Sequence, residues 1–182
     1  KEAAGVVLDV GREVKEIRAG DRVAVASDEV SGGYAEYITA PWRHVVKLPA
    51  YTDFDTGAAI MLQGLTAHYL SDTTYPIKPG HKVLIHAGAG GMGRILTQIA
   101  KIRGAYVFTT VSTPAKAQDS LEAGADHEIL YTEQDFCSEI HRLTSGDGVN
   151  VVYDGVGKDT FMKGLDCLDV RGCLVLHSHN SG

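Results

Sequence analysis

Apolar runs alternate with helical stripes along the second half of the chain. Continuous runs such as Val83–Ile85 and Leu174–Leu176 are typical of strands that helices cover on both faces. The helical spacing recurs between them, most clearly over Met92–Ile102. The pattern predicts five strands and four helices in strict alternation: Lys82–Ala87, Met92–Ile102, Tyr106–Val111, Pro114–Ala123, His127–Tyr131, Phe136–Leu143, Val149–Asp154, Thr160–Leu168 and Cys173–His177. This alternation indicates an α/β fold with a doubly wound parallel sheet, a Rossmann sheet.

The first half has a different pattern, in which short β-rich runs are separated by turn residues. It predicts antiparallel strands at Gly5–Val10, Arg22–Ala26, Tyr34–Thr39 and His44–Leu48, as in part of a barrel or sandwich. A helix is predicted to begin at residue 53, with Asp53 or Asp55 as its N-cap.

Two prolines and a glycine over residues 75–80 mark a domain boundary. We therefore predict a β-rich domain with connecting helices over 1–75 and the α/β domain over 76–182. The chain begins inside an apolar run and stops just after the fifth strand of the α/β pattern. We expect a fragment whose second domain lacks its last strand and helix.

Composition narrows the class of partner. The chain of 182 residues has a formal net charge of −6, which disfavours nucleic acid and anionic membranes as partners. Its apolar runs are far shorter than a membrane span. The three cysteines lack paired spacing, so we expect reduced thiols in a cytoplasmic protein. A small-molecule ligand fits this composition best.

A Gly-x-Gly-x-x-Gly motif follows the first strand of the α/β pattern and opens a helix. At such a turn, missing side chains let a pyrophosphate approach backbone N–H groups at the positive end of the helix dipole. The sequence therefore predicts a dinucleotide site. Its candidate cofactor-binding residues are Gly88, Ala89, Gly90, Gly91, Met92 and Gly93.

The end of the second strand of this pattern indicates which dinucleotide binds. An NAD site carries an Asp or Glu there for the ribose 2′-hydroxyl, and this chain has none. Ser112, Thr113 and Lys116 instead offer donors suited to a 2′-phosphate, which predicts NADPH. The alternatives are that Ser112 and Thr113 only cap the next helix and that Lys116 is a solvated surface lysine.

Six blocks in this order resemble one known family. They are Gly20–Val23, Gly33–Tyr37, Ala58–Ala67, Ala87–Gly93, Thr110–Ala117 and Val152–Gly157. Together they resemble the zinc-free, NADPH-dependent quinone oxidoreductases, of the zeta-crystallin type, in the medium-chain dehydrogenase/reductase superfamily. The resemblance spans nearly the whole chain. It implies that a partial GroES-like catalytic domain precedes the Rossmann domain.

The resemblance also implies site residues. Ser112, Lys116 and Tyr131 are expected to contact the 2′-phosphate region of the cofactor. Val156 and His177, at the ends of the fourth and fifth strands of the α/β pattern, are expected to border its nicotinamide side.

Two of the implied residues are candidates for catalysis. Thr66 is expected beside the nicotinamide as a positioning residue that also contacts the cofactor. His177 is a candidate donor to the oxygen that gains charge. A tyrosine and an asparagine that the family places near the substrate belong to a part of the catalytic domain upstream of Lys1.

Zinc enzymes of the same superfamily carry a His-Glu pair where this chain has Lys1 and Glu2, and a cysteine-rich lobe that has no counterpart here. His177 and His179 alternate, but zinc needs three or four ligands. We therefore expect no metal site.

The predicted function is hydride transfer from NADPH to a quinone or similar conjugated carbonyl, without a metal. An enoyl reductase acting on an activated C=C bond is the nearest alternative. A non-catalytic nucleotide-binding or RNA-binding protein, like a crystallin, is the alternative from another class. The expected substrate partner is a quinone or enone, and the complete protein is expected to be a homodimer.

Overall fold

Three short antiparallel strands come first in the computed structural model, which describes residues 2–27, 29 and 32–181. They are β1 (Glu2–Val6), β2 (Arg22–Ala26) and β3 (Val45–Lys47). Strand β2 lies in the middle and pairs with both neighbours. A 3₁₀ turn over Trp42–His44 leads into β3. The prediction of antiparallel β-structure is confirmed.

Two strand predictions in this part differ from the structure. The first strand ends at Val6 and does not reach Val10, because its register is set by pairing with β2, where Glu2 lies opposite Ala26. The predicted strand Tyr34–Thr39 is wrong, since the segment forms a turn and irregular structure. Tyr34 and Tyr37 are highly exposed, so this run has no buried face to hold it in a sheet.

The helix predicted from residue 53 is present as α1 (Phe54–Tyr69). Its N-cap is Asp53, whose carboxylate accepts hydrogen bonds from the Thr56 backbone N–H at 2.6 Å and the Thr56 hydroxyl at 3.1 Å. A π-helical turn over Leu70–Thr74 follows. The chain divides into two compact units, Lys1–Leu65 and Thr66–Gly182. The domain boundary between residues 75 and 76 stays a prediction.

Strands and helices alternate through the second unit. They are β4 (Lys82–Ile85), α2 (Gly91–Ile102), β5 (Tyr106–Val111), α3 (Pro114–Glu122), β6 (His127–Leu130), α4 (Phe136–Leu143), β7 (Val149–Asp154), α5 (Phe161–Asp166) and β8 (Leu168–Leu176). All five strands are parallel, in the order β6-β5-β4-β7-β8. This is the doubly wound Rossmann sheet that the sequence pattern predicts.

Side chains of the central strand β4 pack into two cores, one on each face of the sheet. Val83 and Ile85 pack with residues of α2, and Leu84 packs with Phe136 and Ile140 of α4. The three β4 side chains are almost fully buried. Helices on both faces explain why this strand is a continuous apolar run.

The last strand is longer and less regular than predicted. Leu168 pairs with Val149, but the next pair along the strands is Val151 with Cys173, so β8 bulges between them. Arg171 takes a left-handed backbone conformation in this bulge, with φ of 67°. Helix α5 ends at Asp166, two residues before its predicted end, because β8 begins at Leu168.

Among the described residues, no helix is both long and apolar enough to cross a membrane.

Candidate functional site

A cleft of about 680 Å³ lies at the carboxyl edge of the parallel sheet. Its lining includes residues within two positions of the carboxyl ends of four different strands: Ala87 after β4, Ser112 after β5, Tyr131 after β6 and Val156 after β7. Strand order reverses beside β4: the chain passes from β4 to β5 and β6 on one side, and the crossover after β6 returns it to β7 on the other side. Open α/β sheets bind ligands at this kind of switch point.

Six of the predicted cofactor-binding residues line this cleft. They are Ala89, Gly90, Ser112, Lys116, Tyr131 and Val156. Gly88 lies in the loop before α2, and Gly91, Met92 and Gly93 form its first turn, but these four are not among the lining residues.

The glycine loop is a tight turn between β4 and α2. The Gly90 N–H donates to the Ala87 carbonyl at 2.9 Å, and Ala87 itself has a φ of 54°. The Gly88 N–H donates to the Thr110 carbonyl at 3.0 Å, which ties the loop to the end of β5. Backbone hydrogen bonds, one within the loop and one to β5, therefore hold the loop in place.

Two of the glycines leave no room for a side chain. A Cβ on Gly88 would lie 2.4 Å from the Thr109 Cβ, and a Cβ on Gly93 would lie 2.4 Å from the Ala87 carbonyl oxygen. Gly93 thus lets the first turn of α2 rest directly on the loop. Gly90 is less constrained, with its nearest neighbour at 3.2 Å.

Helix α2 begins with Gly90 as N-cap, and no side chain accepts a hydrogen bond at this cap. The backbone N–H groups of the first turn and the positive end of the helix dipole can therefore serve an anion. This geometry fits the pyrophosphate of a dinucleotide.

The structure brings Ser112 and Lys116 together at the cleft. The Lys116 ammonium donates to the Ser112 hydroxyl oxygen, with 3.0 Å between Nζ and Oγ. Thr113 takes the N-cap of α3, because its hydroxyl oxygen accepts from the Lys116 backbone N–H and Pro114 follows at the first helical position. Capping is therefore done by Thr113, and the Ser112 side chain faces the ammonium.

A second lysine in the cleft is differently placed. Lys163 of α5 forms an ion pair with Asp135, the N-cap of α4. The hydrogen bond from Lys163, together with that from the Ser138 backbone N–H, lowers the pKa of Asp135 to about 2. Asp135 therefore offsets the charge of Lys163, whereas the partner of Lys116 is a neutral hydroxyl.

Thr66 and His177 are not among the residues lining this cleft. Thr66 lies half-buried in α1, and His177 follows β8. A Cβ on Gly155 would lie 2.7 Å from the His177 ring, so the ring rests against that glycine. Burial lowers the pKa of His177, and the Asp154 carboxylate opposes the shift. Their catalytic roles stay predictions.

Sequence reasoning missed His86. It directly follows β4, lines the cleft and is 4% exposed. Its Nδ1 lies 2.9 Å from the Thr110 hydroxyl oxygen, and its ring meets the Phe136 ring edge-on at 4.9 Å. Burial lowers the pKa of His86 to about 4, although the Asp154 carboxylate raises it. Its position at the carboxyl end of a parallel strand was the signal that could have found it.

This burial predicts a pH-dependent stability. The unfolded His86 takes up a proton below pH 6.5 and the folded one only near pH 4, so stability falls as the pH drops through this window. We expect wild type to lose about 2 kcal/mol more than His86→Asn between pH 7 and pH 5. Urea unfolding at both pH values measures the difference. The pKa values of His81 and His177 are lowered too, but both proteins retain these residues, so their effect on stability cancels in the difference. Equal losses would contradict the prediction.

Residues from α4 and α5 and from the loops before them form a cleft wall that the sequence did not reveal. They are Thr132, Glu133, Gln134, Asp135, Phe136, Asp159, Thr160 and Lys163. Each follows the carboxyl end of β6 or β7, and only that topology could have indicated them.

Within the described part of the chain, no group of three or more His, Cys, Asp and Glu side chains could hold a metal ion. Lys1, which stands at the position of a zinc ligand in related enzymes by the resemblance, lies outside the described residues. The expectation of no metal site stays a prediction.

Two family models match the chain. The model described as zinc-binding dehydrogenase covers residues 91–181, which is half of the chain, and the alcohol dehydrogenase GroES-like domain covers residues 1–50. The chain belongs to the medium-chain dehydrogenase/reductase superfamily. The family prediction and the predicted pairing of a GroES-like with a Rossmann domain are confirmed.

The chain is similar to two curated reductases. It is 45% identical to quinone oxidoreductase 1 of Escherichia coli and 44% identical to the 2-haloacrylate reductase of a Burkholderia species. Each match covers the whole chain and 55% of the relative. The chain thus spans about half the length of the relatives it matches.

A solved structure agrees with this assignment. The Escherichia coli quinone oxidoreductase complexed with NADPH is 45% identical and superposes with a TM-score of 0.95, over 100% of this chain and 55% of the other.

Proposed function

We propose that the complete protein is an oxidoreductase that transfers hydride from NADPH to a quinone or similar conjugated carbonyl, without a metal. The observation that carries the cofactor assignment is the Lys116–Ser112 pair, which lines the same cleft as the glycine loop. The quinone oxidoreductase relative, whose structure is named as an NADPH complex, supports both cofactor and reaction.

The chain's own residues supply binding and orientation. The first turn of α2 offers backbone N–H groups to the pyrophosphate, and the Lys116 ammonium and the Ser112 hydroxyl offer donors to the 2′-phosphate. NADPH supplies the hydride when bound. Holding the pyrophosphate at the centre of the cofactor and the 2′-phosphate on its adenosine ribose would fix the adenosine half of NADPH along the carboxyl edge of the sheet, which orients the molecule in the cleft.

The 2-haloacrylate reductase relative favours a second candidate reaction. An acrylate carries a C=C bond conjugated to a carboxyl group, so the same cofactor site is compatible with reduction of an activated C=C bond. Whether the protein reduces a quinone or an activated C=C bond must therefore be determined by comparing the two kinds of acceptor directly.

A panel of acceptors tests the reaction. The complete protein is mixed with NADPH and either a para-quinone, an ortho-quinone, an enone, a 2-haloacrylate or an enoyl thioester, and the loss of absorbance at 340 nm is followed. Our proposal expects the highest kcat/KM with a quinone. Turnover confined to the C=C acceptors would support the second reaction, and no turnover with any acceptor would refute both.

Activity of the complete protein should survive metal removal. Because no metal takes part in the proposed reaction, dialysis against EDTA is expected to leave kcat and KM unchanged within the error of the assay. Assay before and after dialysis, with a zinc dehydrogenase as positive control, measures this. Loss of activity that added zinc restores would show that the site was misread, and His177 and His179 would be reconsidered first.

The homodimer and the cytoplasmic location stay predictions.

A further inference from the structure

A buried carboxylate organises the turn that follows β7. Asp154, the last residue of this strand, is completely buried. Its carboxylate accepts hydrogen bonds from the backbone N–H groups of Val156 at 2.8 Å and Gly157 at 3.0 Å. The Thr160 hydroxyl donates to the same carboxylate, with 2.8 Å between Oγ1 and Oδ2. An ionised carboxylate only accepts hydrogen bonds, so Asp154 suits a place where three donors converge.

The segment after β8 holds the same turn from the other side. The Val156 carbonyl accepts from the Ser181 backbone N–H at 2.8 Å and from the Ser181 hydroxyl at 2.9 Å. The Ser181 hydroxyl oxygen accepts in turn from the Asp159 backbone N–H at 3.1 Å. Both backbone polar groups of Val156 are therefore held, the N–H by Asp154 and the carbonyl by Ser181.

This turn forms part of the cleft. Val156, Asp159 and Thr160 line it, whereas Asp154 and Ser181 are not among the lining residues. Val156 and Thr160 are partly exposed, so a ligand in the cleft can touch them. A buried charge is costly unless hydrogen bonds satisfy it, and the bonds that satisfy Asp154 are the ones that fix the turn. Asp154 and Ser181 can thus act on a ligand through the turn that they hold.

We propose that Asp154 is a positioning residue for dinucleotide binding, whose carboxylate, together with Ser181, holds the turn over residues 155–160 in the shape that receives the cofactor. The proposal rests on the proposed function, because it assumes that the cleft holds a dinucleotide. A turn that is ordered before binding adds no entropy cost of ordering when the complex forms. The 2′-phosphate is assigned to Lys116 and Ser112, so loosening the turn should weaken NADPH and NADH binding by the same factor.

Two mild variants loosen the turn. They replace Asp154→Ala, which would leave the two N–H groups of the turn unpaired and is expected to disrupt the fold. Thr160→Val exchanges the hydroxyl for a methyl group of similar size, and Ser181→Ala removes the hydroxyl on the other side of the turn. In the complete protein, we expect each variant to weaken binding of NADPH and of NADH by the same factor, about 2- to 10-fold. Thr160→Ser keeps the hydroxyl and should bind both cofactors within about twofold of wild type.

Thr144→Val is the matched control for loss of a buried hydroxyl. The Thr144 hydroxyl donates to the Ile140 carbonyl at 2.7 Å and accepts from the Gly148 N–H at 2.9 Å, and it is not part of the cleft lining. This variant should lower the free energy of unfolding, as Thr160→Val does, yet bind both cofactors as wild type does. The titrations are made under conditions in which urea unfolding shows every variant to be folded.

Amide hydrogen exchange of the cofactor-free protein measures the order of the turn directly. Val156 and Gly157 should exchange about 2- to 10-fold faster in the two turn variants than in wild type, while Val151 and Val152 within β7 should exchange at the wild-type rate. A loss of affinity without faster exchange would show that Thr160 acts by direct contact with the ligand, and would overturn the proposal.

Normal affinity in both turn variants, or the same loss of affinity in Thr144→Val, would overturn it as well. Failure of wild type to bind either cofactor would instead overturn the proposed function, so the two failures are distinguishable.

Discussion

Lys116→Ala is expected to weaken NADPH binding by about 10- to 100-fold and to leave NADH binding within about twofold. A charge-assisted hydrogen bond contributes roughly 1.5–3 kcal/mol, and 1.4 kcal/mol is a factor of about ten. The ammonium lines the cleft with a neutral hydroxyl as its partner, so its charge remains available for a 2′-phosphate. NADH lacks the 2′-phosphate, so removal of the ammonium should not affect its binding.

Reduced-nicotinamide fluorescence during titration of each cofactor measures both affinities. Ser112→Ala removes a neutral donor and should act in the same direction, by about 2- to 10-fold. Lys163→Ala is the matched control, because this second cleft lysine is already paired with Asp135. Its effect should be equal for the two cofactors. Equal weakening of both cofactors by Lys116→Ala would mean that this lysine supports the fold and does not recognise the phosphate.

Gly93→Ala is expected to lower the free energy of unfolding by about 1–3 kcal/mol and to remove dinucleotide binding. Its Cβ would lie 2.4 Å from the Ala87 carbonyl oxygen and 2.9 Å from the Gly88 Cα, both of them backbone atoms that cannot rotate away. The first turn of α2 must then lift off the loop. That movement also displaces the N–H groups offered to the pyrophosphate.

Gly90→Ala is the matched comparison in the same loop. Gly90 has an ordinary φ of −71°, and its Cβ would lie 3.2 Å from the nearest atom. We expect a cost below about 1 kcal/mol in stability, but weaker binding, since the new methyl group stands where the backbone approaches the pyrophosphate. Urea unfolding and NADPH titration of both variants separate the two effects. Equal stability of the two variants would contradict the packing role of Gly93.

The local sequence pattern was sufficient to predict most of the strands and helices of the α/β unit. The bounds of β5, α4 and β7 agree with the sequence prediction to the residue, because buried apolar runs and amphipathic stripes are properties of short segments. The predicted strand Tyr34–Thr39 failed because a strand also needs a distant partner, which periodicity does not reveal. The bulge in β8 was missed for the same reason, since it depends on pairing with β7.

The residues of the candidate site likewise include some that local sequence predicts and others that it does not. The glycine loop and the Lys116–Ser112 pair were predictable because each lies within a few residues along the chain. Phe136 and Lys163 were missed, since they border the cleft only after the crossovers bring α4 and α5 to one edge. His86 was missed although its position directly after β4 was a local signal. Thr66 and His177 were inferred from the family resemblance, and the cleft lining does not include them.

The central claim is that the cleft of the second unit binds NADPH through its 2′-phosphate. Calorimetric titration of the wild-type chain with NADPH and with NADH, in one buffer at one salt concentration, tests it most directly. We predict one site and a Kd for NADPH that is lower than that for NADH by about 10-fold or more. Equal affinities, or tighter binding of NADH, would contradict the assignment of Lys116 and Ser112 to the phosphate.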